Sequence, residues 1–170
     1  MTLRIEPFAP YHAPAVQCLA SDPRIAAMTL LPEPYPEDGA FTFIRLAMQA
    51  RAAGEAYSFA VLAGDELIGS CGLKEVHDGQ ADLGYWIGVP FWGRGYASEA
   101  ARLIVAFGFD ELGLDRVTAH ALERNPGSWR VLEKVGFTLL ERVANPFAKW
   151  TPEDIIRRYA LDRADWIVSR

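Results

Sequence analysis

From Tyr85 to Ala100 the chain reads Tyr-Trp-Ile-Gly-Val-Pro-Phe-Trp-Gly-Arg-Gly-Tyr-Ala-Ser-Glu-Ala: a strand-like run, a glycine-punctuated turn and a helical run. Gly93 and Gly95 admit backbone angles and close approach that a side chain forbids. The first N–H groups of the helix that follows have no partner within it, and the macrodipole adds partial positive charge there. The result is a nest of donors suited to a phosphate or pyrophosphate. Arg94 is either a charge-assisted contact to that anion or a solvated surface guanidinium. A strand, a glycine turn and a helix also make an ordinary structural cap, so this stretch alone leaves both readings open. Two rival phosphate motifs are absent. There is no Gly-x-x-x-x-Gly-Lys-Ser/Thr, and Gly93-Arg94-Gly95 lacks the third glycine of a dinucleotide fingerprint.

The elements that must position this turn follow from periodicity and breakers. Leu3 to Phe8 reads as a first strand. Ala13 to Ala20 is an alanine-rich helix ended by Ser21-Asp22-Pro23, and Leu31 to Gly39, with three prolines, is a loop. A second helix runs from about Phe41 to Gly54. Tyr57–Ala63, Glu66–Val76 and Ala81–Val89 form an antiparallel meander, turned at Gly64-Asp65 and at His77-Asp78-Gly79-Gln80. Antiparallel strands before the glycine turn argue against a dinucleotide fold, which alternates strands and helices. The longest helix spans about Ala97 to Leu112, and Arg116–Leu122 is a strand. Asn125-Pro126 opens a short helix that Gly136 ends in the left-handed position. Phe137–Val143 and Ile155–Trp166 are the last two strands. This makes a single α/β domain over residues 1–170, without repeats or linkers.

Bulk composition sets outer limits. With 170 residues, 51% of them hydrophobic and 23% charged, the chain suits one domain with a real core. A formal net charge of −5 argues against a nucleic-acid partner, whose recognition needs clustered Lys and Arg. Cys18 and Cys71 have no metal-ligand spacing and read as two buried thiols in a reducing compartment; no metal is implied. No apolar run suits a signal peptide or a membrane span, so a soluble cytoplasmic protein without a membrane partner is expected.

Trp92-Gly93-Arg94-Gly95-Tyr96-Ala97 resembles the pyrophosphate loop of the GNAT acetyltransferase superfamily, Gln/Arg-x-x-Gly-x-Gly/Ala, with Trp92 in place of Gln or Arg. That departure resembles the RimJ/RimL-type branch, whose loop often reads Tyr-Trp-Gly-x-Gly-Tyr-Ala-x-Glu-Ala; Phe91 to Ala100 matches it with Phe for Tyr. Leu83 to Ile87 also matches. A second stretch agrees: Asn125-Pro126-Gly127-Ser128 followed by Leu132 to Phe137 resembles the family's Asn-x-x-Ser…Lys-x-Gly-Phe. The likeness continues to Tyr159-Ala160-Leu161 and Asp165-Trp166.

The resemblance implies a GNAT-like α/β (α+β) fold: a twisted, mostly antiparallel mixed sheet of about six to seven strands flanked by about four helices. It implies acetyl-CoA as co-substrate, with the pyrophosphate on Gly93, Arg94, Gly95, Tyr96, Ala97 and Ser98. Main-chain groups of Ile87, Gly88 and Val89 would meet the pantetheine arm, and Asn125 would be a further cofactor contact. The implied reaction is direct attack of a neutral amine on the thioester. In the family the departing thiolate is often protonated by a Tyr seven residues after the Asn, which here is Leu132. Ser128 matches the hydroxyl of the RimJ/RimL branch; the alternative for Ser128 is a helix cap. Asp82, Glu123 and His120 are the candidate bases, alongside a water chain, and each has a structural reading too.

The implied acceptor is a primary amine, foremost a protein N-terminal α-amino group. A small amine such as an amino acid, polyamine or antibiotic is the alternative, and a non-catalytic acyl-CoA-binding module is the reading from another class. Tyr85, Trp86 and Trp92 are candidates for the acceptor pocket. Glu33, Glu37 and Asp38 in the proline-rich loop are candidates for attracting a cation. A homodimer stays open.

Overall fold

The computed structural model describes residues 2–169. Its framework is one seven-stranded sheet in the order β1-β2-β3-β4-β5-β7-β6. The strands are β1 (Leu3–Pro7), β2 (Tyr57–Ala63), β3 (Glu66–His77), β4 (Gln80–Ile87), β5 (Arg116–Leu122), β6 (Thr138–Ala144) and β7 (Ile155–Asp162). Every neighbouring pair is antiparallel except β4 and β5, which run parallel.

The meander closes through two turns that the residue types explain. Asp78 and Gly79 both take positive φ, 49° and 74°, as a two-residue hairpin requires. At the other turn Gly64 supplies the positive φ, 63°, ahead of Asp65. Glu75, at φ 53°, marks a bulge where β3 loses register with β4 between Lys74 and His77.

Helices cover both faces, because β2 is apolar on both. Phe59, Val61 and Ala63 face α4 (Tyr96–Asp110) and belong to the cluster with Ala101, Ile104, Val105 and Phe109. Ala60 and Leu62 face the other way, toward Val16 and Ala20 of α1 (Ala13–Ala20) and Ile44 of α3 (Gly39–Ala53). Fully burying one such Ile, Val or Phe contributes about 1.5–3 kcal/mol, so both layers are firmly held. Helix α5 (Pro126–Val135) packs on the α4 side through Leu132 and Val135, and Gly136 at φ 116° ends it.

Three local expectations are corrected. A four-residue helix, α2 (Pro23–Ala26), follows Asp22, whose side chain accepts from the Arg24 N–H at its start. The last strand stops at Asp162, and α6 (Arg163–Ser169) takes over. There the Arg163 N–H donates to the Asp115 carbonyl, and its guanidinium donates to the Leu114 and Phe109 carbonyls, which turns the chain off the sheet. Finally, Cys18 is exposed, on the outward side of α1, while Cys71 is buried. With α2 and α6 the described residues carry six α-helices rather than four. Among the described residues no helix is long and apolar enough to cross a membrane.

Candidate active site

Strands β4 and β5 part company midway. Their pairing runs from Gln80↔Arg116 to Leu83↔Ala119 and stops, although β4 continues to Ile87 and β5 to Leu122. Into this opening α4 and α5 both point their N-termini. Two cavities meet there, one of about 450 Å³ toward the glycine turn and one of about 310 Å³ toward α3.

The larger cavity is walled by the turn itself: Trp92, Gly93, Gly95, Tyr96, Ala97 and Ser98. Gly95 stands at the start of α4 with φ 82° and ψ 1°, a left-handed conformation that glycine adopts freely, and no side chain caps the helix. Its first N–H groups therefore remain for an anion, and an added Cβ at Gly93 or Gly95 would meet nothing within 4 Å. This is a cradle shaped for a phosphate, and the residues present fit the pyrophosphate of acetyl-CoA. Arg94 is exposed and does not line the cavity.

The end of β4 is partly committed. The Ile87 carbonyl accepts from Trp92 Nε1 at 2.7 Å. The Gly88 N–H donates to the Ile68 carbonyl, while the Gly88 and Val89 carbonyls accept from the Phe91 and Trp92 N–H groups. Trp92 is thus a clamp on the turn, lining this cavity and not the smaller one.

Asn125 precedes α5, makes no side-chain cap bond and lines the larger cavity. Ser128 lines both cavities, as does Tyr85. The two are joined: Tyr85 Oη donates to the Ser128 carbonyl at 3.0 Å and lies 3.1 Å from Ser128 Oγ. Ser128 Oγ is therefore engaged across the opening by a phenol rather than by its own helix. Burial pushes the Tyr85 phenol up to about 12, so it stays protonated as a hydrogen-bond donor at neutral pH. The Ser128 end of α5 is braced from below: Trp129 Nε1 donates to the Glu123 carbonyl at 3.0 Å, and the Arg157 guanidinium lies 4.1 Å over the Trp129 ring.

The three candidate bases separate. Glu123 lines neither cavity; its carboxylate is paired with Arg142 and, at 2.7 Å, with Arg157. The Arg142 hydrogen bond, then the Arg157 one, hold it below the usual carboxylate range, which suits a strut better than a base. His120 lines the smaller cavity. Behind it, Asp82 Oδ2 lies 3.6 Å from His120 Nδ1 and 3.5 Å from Lys74 Nζ, and Asp82 Oδ1 accepts from Thr118 Oγ1 at 2.9 Å. Burial pushes the His120 imidazole below its ordinary range, against the opposing pull of Asp82. A ring that is neutral at neutral pH is what proton abstraction needs.

Tyr85 and Trp86 line both cavities, whereas Glu33, Glu37 and Asp38 line neither. Sequence reasoning missed the cover over the opening. Met28 and Thr29 line both cavities and Trp150 the smaller one. Lys149 Nζ bonds the Ala26, Thr29 and Leu31 carbonyls, and Trp150 Nε1 donates to the Ala27 carbonyl at 3.2 Å. Phe147 packs over His120 with ring centroids 4.9 Å apart. The partners of Lys149 and Trp150 lie more than a hundred residues away in the chain, and no local pattern announces them.

A family model described as an acetyltransferase (GNAT) domain matches residues 2–138, and the chain belongs to that family. Among its relatives, an uncharacterized N-acetyltransferase p20 of Bacillus licheniformis is 35% identical over 88 residues; the match covers 49% of each chain, so this chain spans about half of that relative. An FsC-acetyl coenzyme A-N(2)-transacetylase of Aspergillus fumigatus is 27% identical over 177 residues, covering 97% of this chain and 75% of that one. Two solved structures share the fold. The spermidine N-acetyltransferase of Vibrio cholerae, in complex with CoA and spermine, has a TM-score of 0.85 at 18% identity, covering 97% of this chain and 98% of that one. RimL, a ribosomal L7/L12 alpha-N-protein acetyltransferase in complex with coenzyme A, has a TM-score of 0.86 at 17% identity, covering 95% and 94%.

Proposed function

We propose that residues 1–170 work as one cytoplasmic domain that transfers an acetyl group from acetyl-CoA to a primary amine, foremost the α-amino group of a polypeptide. The observation that carries this reading is the Ser128–Tyr85 pair at the junction of the two cavities. Acetyl-CoA supplies an activated thioester, and this chain's residues bind, orient and move protons around it.

Gly93 to Ser98 hold the pyrophosphate on backbone N–H groups, with Asn125 and the end of β4 (Ile87, Gly88, Val89) as further contacts. Arg94 adds long-range charge. The amine enters through the smaller cavity. His120 takes its proton, and Asp82 fixes the imidazole so that its other nitrogen is the acceptor. As the N–C bond forms and the C–S bond breaks, Ser128 gives its proton to the departing thiolate and regains one from solvent while His120 releases its own, and Tyr85 orients that hydroxyl.

The fold is shared with a spermidine and with a ribosomal-protein acetyltransferase alike, and the likeness of Phe91 to Ala100 to the RimJ/RimL-type loop is what favours a polypeptide acceptor. The Aspergillus fumigatus relative, which aligns with nearly the whole chain, favours a small-molecule amine as the second reading. An acyl-CoA-binding module without catalysis is the outcome in which binding occurs and transfer does not. The test is thiol release with acetyl-CoA and a panel of peptides and amines. Ser128→Ala should lower kcat at least about tenfold, an effect of about 1.4 kcal/mol or more on the barrier, with acetyl-CoA affinity unchanged. Turnover equal to that of the parent would return Ser128 to a structural role.

A further inference from the structure

The smaller cavity has a floor of very small residues. Gly72 and Gly84 lie directly opposite each other on β3 and β4, with Ser70 beside them opposite Trp86. The two glycines differ in cause. A Cβ on Gly72 would come within 2.9 Å of the Tyr57 carbonyl, so the backbone forbids it. A Cβ on Gly84 would meet nothing within 4 Å, and its φ is not positive. Gly84 is exposed although it sits on the fourth of seven strands, because it faces the cavity. Nothing in the fold requires glycine here; what its absent side chain leaves is room for a ligand.

The walls over that floor are Met28, Leu31, Phe43, Trp86 and Trp150. Apolar and aromatic surface of this kind takes an apolar body and gains from its desolvation. The charge balance points the same way. Among the described residues, Lys74 is the only lysine or arginine on the lining, and no aspartate or glutamate lines it. Of the two carboxylates that act on His120 from behind the wall, Asp82 lies against Thr118, Lys74 and His120, and Glu75 is exposed on the β3 bulge, off the lining. A ligand with a second ammonium would bring it into an apolar chamber with no free anion and a like charge on the wall.

We infer that this chamber takes a primary amine carried on a compact apolar body with no second cationic group, such as the α-amine of a residue with an apolar side chain. Polyamines are rejected. This rests on the acetyl-transfer reading above and narrows its acceptor. It also sets this chain apart from the spermidine acetyltransferase whose fold it shares.

The experiment measures kcat/KM for acetyl transfer to L-phenylalaninamide and to spermidine, and repeats it with Gly84→Leu. Phenylalaninamide should be preferred by about tenfold or more, the scale on which apolar pockets discriminate. Gly84→Leu fills the chamber and should cut transfer to phenylalaninamide about tenfold or more, with the thermal shift on adding acetyl-CoA retained. Spermidine used as well as or better than phenylalaninamide overturns the inference and leaves the acetyl-transfer reading intact. Undiminished transfer by a folded Gly84→Leu protein likewise overturns it. Acetyl-CoA binding with no transfer to either amine overturns the inference, and no transfer across the full peptide and amine panel overturns the acetyl-transfer reading with it. If Gly84→Leu does not fold, the two-amine comparison on the parent protein decides alone.

Discussion

Replacing Gly95 by Val separates backbone strain from ligand binding. Gly95 has φ 82°, and its Cβ position is open for 4 Å around, so the substitution costs conformation rather than a clash. Holding a side-chain-bearing residue left-handed costs about 1–2 kcal/mol. For a domain of this size that lowers the melting midpoint by about 2–8 °C, at about 2–4 °C per kcal/mol. A side chain at Gly95 would also take up space in the cavity beside the uncapped N–H groups of α4, which the proposed reading assigns to the pyrophosphate. At a hundred times its Kd a ligand stabilises the folded state by about 2.7 kcal/mol, and Gly95→Val should lose that increment. Gly113 provides the control: φ is 67°, nothing lies within 4 Å of its Cβ position, and it lines neither cavity. Gly113→Val should pay a similar strain and keep the full ligand shift. The assay is thermal unfolding of the three proteins with and without acetyl-CoA. A full acetyl-CoA shift in Gly95→Val, or an equal loss of it in both variants, would refute the assignment of the cradle.

Two further outcomes follow from the geometry. His120 is faced by Asp82, which favours its charged form, by Lys74 and Arg158, which disfavour it, and by Glu75 and the Phe147 ring. With burial dominant, kcat/KM should stay level through neutral pH and fall only as the imidazole protonates, below about 6.5. Asp82→Asn should move that acid limb still lower while reducing kcat; an acid limb that does not move in Asp82→Asn would remove His120 as the base. Lys149→Met frees the Ala26, Thr29 and Leu31 carbonyls from their shared cation. Hydrogen exchange in residues 26–32 should then accelerate while β2 and β3 remain protected, and unchanged exchange would show that the bridge does not hold the cover down.

What the sequence made legible was whatever backbone chemistry dictates locally. Asp78-Gly79, Gly95 and Gly136 each need a positive φ, and each punctuates the chain where the structure turns. The meander follows from those points plus alternation, whereas the packing of α4 on α5 and the opening between β4 and β5 rest on long-range pairing that no local pattern carries. The ends of elements fared worse where a distant partner decides. By sequence alone the strand that alternates through Tyr159 and Leu161 runs on to Trp166. It breaks at Arg163 because carbonyls of Phe109 and Leu114, about fifty residues earlier, capture that guanidinium. The exposure of Cys18 has a related cause: an alanine-rich helix shows no clear face until Val16 and Ala20 meet Ile44.

The same distinction divides the site. The core of the proposed donor half is one continuous segment, Trp92 to Ser98, offering main-chain groups, so the glycine turn marks where it lies and the motif resemblance says what it would hold. The acceptor half is assembled from residues of β2, α3, β3, β4, β5, α5 and the loops around Met28 and Trp150, segments spread over most of the chain. No spacing rule links Phe43 to Trp150. The chain therefore reveals its co-substrate more readily than its substrate, and the physical reason is that a phosphate is bound by a local backbone shape. An amine's apolar body, in contrast, is bound by the packing of segments that meet only once the sheet has formed. Gly84 is the exception that joins the two halves: a single position, readable in the sequence, whose meaning depends on the empty volume above it.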